Sequence, residues 1–196
     1  MTAFDDQKAT YLRELSSTAK DRSKKGDVDE EAKPILDAIN AHPDLYTTSS
    51  CAGRIDVFVE PESGKKHEGE WRFVTHDRAK TEDVLQALEE VPAETVWFRM
   101  EGAIVHVCCR SLDAAEAFLL ACREAGWKHS GILTTGKRII IEATTPERVD
   151  VPVAKDGESF VPEKFIGFLV KEANEKLVKT REKMERLERR VRAMRR

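Results

Sequence analysis

Val96-Trp-Phe-Arg-Met-Glu-Gly-Ala-Ile-Val-His-Val-Cys-Cys109 is the stretch that decides the fold. Residues 96–100 and 103–109 predict two strands in succession, because β-branched, aromatic and other apolar side chains fill both sides of Gly102. Ser111 then stands at the N-cap position of a helix, and Gly126 closes that helix. The chain therefore places two strands together before a helix, unlike the strict strand–helix–strand alternation of a parallel sheet.

The same grouping extends in both directions along the chain. Helices are predicted at residues 5–20, 34–41, 81–91 and from 162 nearly to the C-terminus, and strands within 46–60 and at 71–75, 132–133 and 138–143. This order predicts an α+β fold of mixed or antiparallel sheets, built from paired strands with flanking helices, and a non-Rossmann topology. Residues 50–55 and 130–133 echo each other, which suggests a possible internal duplication.

Charge is segregated along the chain. The 196 residues carry −3 overall, but residues 171–196 hold eleven Lys/Arg and five Glu, a net +6 that leaves −9 for the remainder. The length suits one well-buried domain. We predict a single α+β domain over residues 1–168 and a basic amphipathic helix over residues 169–196, packed on that domain or extending from it. Apolar residues repeat every seven positions in this helix, as a seam for packing or for a partner helix: Val170, Leu177, Met184 and Val191.

The sequence indicates a reduced, cytoplasmic protein. No apolar run reaches the roughly 18 residues that cross a bilayer, and the polar, acidic N-terminus does not match a signal peptide. Four cysteines in a chain of this length do not form a disulfide framework. Cys108 and Cys109 are neighbours on a strand and point to opposite faces. Since there is also no CxxC pair, we expect no metal site.

The polar run Thr47-Thr-Ser-Ser-Cys-Ala-Gly-Arg54 is the densest candidate for chemistry, because GxGxxG, GxxxxGK[ST], HExxH and GxSxG are all missing. Read as a turn, it presents hydroxyls and backbone N–H groups to an anion or cofactor. Arg54 adds a planar fork for a carboxylate or phosphate. A plain polar turn before a strand, with Cys51 as a small buried side chain, explains the composition equally well.

Four smaller polar groups have both a functional and a structural interpretation. The run from Asp21 to Asp29 is a basic and acidic contact segment or a solvated linker. Thr75-His76-Asp77 is a proton shuttle or an exposed turn. His106 is a catalyst or a hydrogen-bonded core histidine. Ser130-Gly131 is either a place where the backbone approaches a ligand closely or a plain turn.

Five blocks in this order resemble the tRNA wybutosine-synthesising protein 3 family. They are Asp21-Arg-Ser-Lys-Lys-Gly-Asp-Val-Asp29, Tyr46-Thr-Thr-Ser-Ser-Cys-Ala-Gly-Arg-Ile55, Trp71-Arg-Phe-Val-Thr-His-Asp77, Val105-His-Val-Cys-Cys-Arg-Ser-Leu112 and Ala125-Gly-Trp-Lys-His-Ser-Gly-Ile132. The resemblance runs from about residue 4 to residue 174, and its Ser-Ser-Cys-x-Gly-Arg block is the most specific. The chain departs from the family at Lys24, at Ala52 and at residues 101–103. The last departure affects the base that a pocket would accept.

The resemblance implies an S-adenosylmethionine-dependent tRNA methyltransferase of wybutosine biosynthesis. Its product would carry a methyl group on N-4 of the tricyclic base at position 37, in the anticodon loop of tRNA(Phe). The domain of residues 1–168 would then be the catalytic one. We expect a monomer or weak dimer without membrane association.

Three sets of candidate residues follow from the polar groups and the resemblance. Candidate catalytic groups are Asp29, Ser50, Cys51, His76, Asp77 and His106. Candidate cofactor-binding residues are Ser49, Ser50, Gly53, Arg54, His106, Ser130 and Gly131. Candidate RNA-binding residues are Lys24, Lys25, Arg54 and Arg110, together with the basic tail. Among the possible general bases an aspartate is favoured, while Cys51 is expected to pack or to contact ligand.

Two alternatives remain open from the sequence. One is a non-catalytic RNA-binding accessory protein of tRNA modification that uses the same basic surface, and the other is a thiol-dependent or small-molecule-binding protein built around Cys51. Trp71 or Trp127 could stack on a base splayed from a single-stranded loop, and core packing explains both tryptophans equally well.

Overall fold

The computed structural model describes residues 2–16, 28–63 and 68–194. Its helices are α1 (Ala3–Ser16), α2 (Lys33–Ala41), α3 (Thr81–Gln86), α4 (Leu112–Ala125) and α5 (Glu163–Ala193). Its strands are β1 (Leu45–Cys51), β2 (Arg54–Val59), β3 (Glu70–Thr75), β4 (Val96–Glu101), β5 (Ile104–Cys109), β6 (Gly131–Thr134), β7 (Ile139–Thr144), β8 (Arg148–Lys155) and β9 (Glu158–Ser159). Two antiparallel sheets flanked by helices confirm the predicted α+β class.

The described residues within 1–52, 103–146 and 181–196 form one compact unit, the first unit. Its antiparallel sheet has the order β1-β5-β7-β6. Side chains alternate along these strands, so Leu45, Val107 and Ile141 share a buried core with residues of α2 and α4. Helix α4 is the element that the sequence predicts best. Its N-cap Ser111 Oγ accepts the Ala114 N–H at 3.2 Å, and Gly126 ends the helix at φ 89°.

Helix α1 packs on β1 of the first unit through aromatic side chains. The rings of Phe4 and Tyr11 each lie 5.2 Å from the ring of Tyr46. Arg110 ties the start of the helix down, since its guanidinium donates to Asp5 at 2.7 Å and to Asp44 at 2.6 Å. Aromatic burial and one shared arginine therefore hold α1 in place.

The described residues within 53–102 and 147–180 form the second unit. Its antiparallel sheet has the order β3-β2-β4-β8-β9. Alternating residues such as Ile55, Val57 and Phe98 are fully buried. They share a core with Val170 and Leu177 of α5.

Helix α5 contributes to both hydrophobic cores. Val170 and Leu177 lie in the core of the second unit, whereas Met184 and Val191 lie in the core of the first. The seven-residue repeat is therefore a packing seam within the chain, which decides between the two interpretations of the pattern.

Four elements differ from their predictions, and one of them is the two-residue strand β9, which was not predicted. The polar run at residues 47–51 is strand rather than turn, because β1 pairs with β5 from Leu45 to Cys51 with one irregularity between Thr47 and Ser49. Helix α3 ends at Gln86 instead of residue 91. Strand β8 was not predicted, because Pro152 interrupts its alternation of valines with charged residues. The chain accommodates this proline at an irregularity in the pairing with β4.

The domain boundary predicted at residue 168 falls inside α5, which is continuous from Glu163 to Ala193. The division into residues 1–168 and 169–196 is not tested by this and stays a prediction. The predicted helical residues 17–20 lie outside the described residues. In the part of the chain that the structure describes, every helix is too short or too polar to pass through a bilayer.

Acid is expected to weaken the attachment of α1. The Arg110 guanidinium, with help from Thr2, holds the pKa of Asp5 well below its usual range. A carboxyl group whose pKa is depressed by folding stabilises the folded state above its unfolded pKa of about 3.9, and loses that contribution as the pH falls further. NMR of the α1 amides from about pH 6 to about pH 2 should show them shift in this acid range. In Asp5→Asn much of this response should vanish, whereas in Asp6→Asn it should remain.

Candidate active site

Three polar side chains form a row across the sheet of the first unit. Ser49 of β1 pairs with His106 of β5, and His106 pairs with Glu142 of β7. Directly paired residues of an antiparallel sheet point to the same face. Ser49 Oγ lies 2.6 Å from His106 Nδ1, and His106 Nε2 lies 2.9 Å from Glu142 Oε2. We call these three residues the histidine row.

The histidine row is half-buried, which suits a place where a ligand can reach a polar group. The side chain of His106 is 28% exposed and that of Glu142 is 43% exposed. Hydroxyl, imidazole and carboxylate in one hydrogen-bonded line can accept, pass on and release a proton. The row is therefore the best-formed constellation for acid–base chemistry in the first unit.

Strand alternation divides the polar run that the sequence suggested as one cluster. Thr47 is buried, and Asn40 Oδ1 accepts its backbone N–H at 2.8 Å. An irregularity in the pairing between Thr47 and Ser49 then resets the alternation. Ser49 and Cys51 consequently share the face of His106, while Ser50 pairs with Val105 and faces the other way.

Two charged residues of the first unit, Asp29 and Arg181, fix the turn after β1. Asp29 Oδ2 accepts the backbone N–H of Ala52 at 2.6 Å, and the Ala52 carbonyl accepts a hydrogen bond from Arg181. The next residue, Gly53, has φ 93°, a conformation that side chains disfavour. Asp29 thus has a structural role at this turn, and a part in catalysis stays a prediction for it. Cys51 is a half-buried free thiol, and its predicted role in packing, ligand contact or catalysis also stays a prediction.

Arg54 takes part in an ion-pair cluster of the second unit. It pairs with Glu101 and lies 3.5 Å from Asp56, and its guanidinium stacks 4.3 Å from the centre of the Trp71 ring. Asp56 is completely buried, and burial raises the pKa of its carboxyl group while Arg99, at 2.8 Å, opposes the rise. The guanidinium of Arg54 is thus engaged within this unit.

The other candidates of the second unit lie at the end of β3. His76 is half-buried and its Nδ1 lies 2.9 Å from the Gly53 carbonyl oxygen. Asp77 is exposed, and its backbone N–H donates to Thr75 Oγ1 at 3.0 Å. Their contacts are those of a strand end, and a part in catalysis stays a prediction for both residues.

The structure describes only some of the RNA-binding candidates. Lys24 and Lys25 lie outside the described residues. The guanidinium of Arg110 is shared by Asp5 and Asp44, whose hydrogen bonds raise the pKa of Arg110. Its role in the described structure is to hold α1, and contact with RNA stays a prediction.

Ser130 and Gly131 precede and begin β6. Ser130 Oγ donates to the Trp127 carbonyl at 2.9 Å and accepts the Thr144 N–H at 3.3 Å, so it braces the strand. Gly131 pairs with Glu142 and so extends the histidine row by one strand. A methyl group at Gly131 would meet no described atom within 4 Å. This position is therefore open beside the row.

The two tryptophans that could stack on a base have different environments. Trp127 is 1% exposed, and its Nε1–H donates to the Lys183 carbonyl at 3.0 Å. It is a core residue of the first unit, so stacking on a base is the wrong interpretation for it. Trp71 is 37% exposed, although the Arg54 guanidinium lies over its ring, and stacking on a base stays a prediction for it.

Glu142 is the member of the row that sequence reasoning missed. It is an acid within the apolar stretch Ile139-Ile-Ile-Glu-Ala143, which is unusual for a strand packed against a core. That local signal marks the residue, but only the register of β5 with β7 shows that it contacts His106.

Replacing Gly131 by alanine tests whether a ligand approaches the backbone beside the row. The free energy of unfolding should change by less than about 1 kcal/mol, because the new methyl group meets open space and φ is not positive. If a ligand approaches this backbone, affinity for S-adenosylmethionine, the ligand that the sequence resemblance implies, should fall when measured by calorimetry. Gly136→Ala, at a loop glycine of the same unit, is the control. Unchanged affinity in Gly131→Ala would exclude a close approach of this ligand to Gly131.

Known proteins place the chain in a class and then in a family. A family model described as "Methyltransferase TYW3" matches residues 6–193. The chain is thus an enzyme, a methyltransferase whose paired-strand α+β fold is not the Rossmann type. A tRNA(Phe) 7-((3-amino-3-carboxypropyl)-4-demethylwyosine(37)-N(4))-methyltransferase of Thermococcus sibiricus is 34% identical, over 94% of this chain and 92% of its own length. The chain belongs to the TYW3 methyltransferase family.

Two further relatives agree with this family. The rice "tRNA wybutosine-synthesizing protein 2/3/4" is 36% identical over 92% of this chain, which spans 19% of that longer protein. The solved structure of the PH1069 protein from Pyrococcus horikoshii OT3 superposes with a TM-score of 0.87 at 31% identity, covering 100% of this chain and 97% of that one. The resemblance seen in the sequence is confirmed. Because this family is one of enzymes, the alternative of a non-catalytic RNA-binding accessory protein is no longer supported.

Proposed function

We propose that this enzyme methylates N-4 of a demethylwyosine-type base at position 37 of tRNA(Phe), in wybutosine biosynthesis. The Thermococcus sibiricus relative is named for this reaction, and it matches the chain over nearly its whole length. The observation that carries the proposal is the histidine row, which joins a hydroxyl, an imidazole and a carboxylate on a half-exposed sheet face.

S-adenosylmethionine is the proposed methyl donor, and residues of the first unit suit it chemically. The donor's hydroxyls and carboxylate need hydrogen-bonding partners. Ser49 and His106 present a hydroxyl and an imidazole on a half-exposed face of the sheet, which Gly131 shares. We assign Ser49, His106 and Gly131, which share one face of the sheet, to its binding, while Ser50, Gly53, Arg54 and Ser130 stay predictions. When bound, the donor supplies an electrophilic methyl group.

The chain's own part in the chemistry is to accept a proton. A ring nitrogen that exchanges hydrogen for methyl releases one proton, which a positioned base accelerates. We assign this step to Ser49 and His106. The N-4 proton passes to Ser49 Oγ while the Ser49 proton passes to His106 Nδ1, 2.6 Å away. Asp29, the type of base favoured from the sequence, is engaged instead by the Ala52 N–H at 2.6 Å.

Binding of the tRNA is assigned to basic residues and to one aromatic side chain. The C-terminal residues 171–196 carry +6 and would contact phosphates in a salt-dependent way. Lys24, Lys25, Arg54 and Arg110 stay in the proposed set. Trp71 would stack on an unpaired base of the anticodon loop, since base–aromatic stacking does not depend on duplex structure. A reduced, cytoplasmic monomer or weak dimer remains the expectation.

Calorimetric titration with S-adenosylmethionine tests the proposed donor. We expect one molecule to bind per chain, with or without hypomodified tRNA(Phe). Ser49→Ala should weaken that binding, because it removes the hydroxyl on the sheet face that His106 and Gly131 share. Ser63→Ala, in the second unit, is the matched control. Absence of binding both with and without tRNA would contradict the assignment of the donor.

A further inference from the structure

We propose that Glu142 is a positioning residue that holds His106 in the tautomer able to accept the Ser49 proton. The inference rests on the proposed function, because it concerns the same proton transfer. Glu142 would not contact the reacting atoms and would act through the imidazole alone.

The geometry that supports this role is built into the sheet register. His106 lies between its two cross-strand partners, and each of them reaches a different ring nitrogen. Ser49 Oγ lies 2.6 Å from Nδ1, and Glu142 Oε2 lies 2.9 Å from Nε2. Both distances are within the range of good hydrogen bonds. The imidazole is thus fixed at both ends by residues on neighbouring strands.

The chemistry of the partners determines where the imidazole proton lies. An ionised carboxylate can only accept a hydrogen bond, so in neutral His106 it places the proton on Nε2. The lone pair is then on Nδ1, where it faces the Ser49 hydroxyl. With the opposite tautomer, Nδ1 would donate to Ser49 and could not take its proton. After the transfer, the carboxylate also stabilises the imidazolium, as the acid of a serine–histidine–acid triad does.

Stabilisation of the fold does not account for the pairing of Glu142 with His106. An exposed ion pair contributes about 0–1 kcal/mol, and Glu142 is 43% exposed. Glu124 of the same unit provides a close comparison, because it is 44% exposed and pairs with Arg190 at 3.1 Å. If Glu142 mattered only as a surface ion pair, removing either acid would have similar consequences.

Nitrogen-15 NMR of the imidazole rings tests the tautomer directly and needs no substrate. In the wild-type protein at neutral pH, the pattern of His106 should be that of the Nε2–H tautomer. The spectrum of His106→Asn assigns its signals among the five histidines of the chain. In Glu142→Ala the pattern should move toward a mixture of tautomers, whereas Glu124→Ala should leave it unchanged. An unchanged pattern in Glu142→Ala would overturn the inference.

Kinetics of the same variants test the consequence for the reaction. Removing the base itself costs about 100- to 10,000-fold in rate, so loss of its positioning partner should lower kcat by a smaller factor, roughly 10- to 100-fold. KM for tRNA should stay within about twofold, and Glu124→Ala should retain the wild-type kcat. Equal kcat in the wild type and Glu142→Ala would contradict the positioning role.

Failure of the inference can be told apart from failure of the proposed function. A wild-type protein with the Nε2–H pattern that transfers no methyl group would contradict the proposed function and support the tautomer assignment. A wild-type protein that transfers methyl but shows His106 as the Nδ1–H tautomer would overturn the role of Glu142 and the proton route through Ser49, and would leave the proposed methyl transfer standing.

Discussion

His106→Asn should lower kcat by about 100- to 10,000-fold, the range over which a positioned general base accelerates reactions. The substitution removes the lone pair that lies 2.6 Å from the Ser49 hydroxyl. It should leave the fold intact, because the side chain is partly exposed and lies outside the hydrophobic core. Single-turnover methyl transfer measures the chemical step, and thermal unfolding checks the fold.

His129→Asn is the matched control for this experiment. His129 belongs to the same unit, is exposed, and lies outside the histidine row. Its replacement should leave kcat unchanged. A His106→Asn enzyme with the wild-type single-turnover rate would exclude His106 as the base. It would favour an aspartate as the base instead.

Trp127→Ala should lower the free energy of unfolding by about 3–5 kcal/mol, the usual cost of truncating a buried tryptophan or phenylalanine. The ring is 1% exposed within the core of the first unit, and the change also leaves the Lys183 carbonyl without its Nε1–H donor. Trp127→Phe should cost less, because it keeps most of the apolar volume. Denaturant unfolding at equilibrium gives both values.

We expect Trp71→Ala to affect the binding of tRNA rather than the stability of the fold. This side chain is 37% exposed, so stability should change far less than in Trp127→Ala. Affinity for tRNA should fall, since a base stacked on an aromatic ring is worth about 1–3 kcal/mol. If Trp71→Ala bound tRNA as tightly as the wild type, stacking would be excluded for both tryptophans.

Elements with local signals could be predicted from the sequence. Helix α4 has a serine at its N-cap, a glycine after its last residue and an apolar face between them, and all three signals lie within 16 residues. Strands β4 and β5 could likewise be predicted, from the apolar residues that precede and follow Gly102. Strand β8 was missed because its proline argues against a central strand, and only the irregular pairing with β4 explains how it fits.

The candidate site could be predicted only in part, for a physical reason. His106 and Ser49 were both candidates, but their contact joins strands 57 positions apart in the chain, and the contact to Glu142 spans a further 36. Register over such distances is set by the packing of the whole sheet. The irregularity between Thr47 and Ser49 decides which hydroxyl of the polar run faces His106, and no residue pattern indicated it.

Methyl transfer to tRNA(Phe) carrying a demethylwyosine-type base at position 37 is the most direct test of the central claim. Purified enzyme, S-adenosylmethionine and this tRNA would be incubated, and the nucleosides analysed by mass spectrometry after digestion. The account predicts that one methyl group is added to N-4 of that base, and that a tRNA with unmodified guanosine at position 37 gains none. A protein that binds the donor and this tRNA but leaves the base unmethylated would contradict the account.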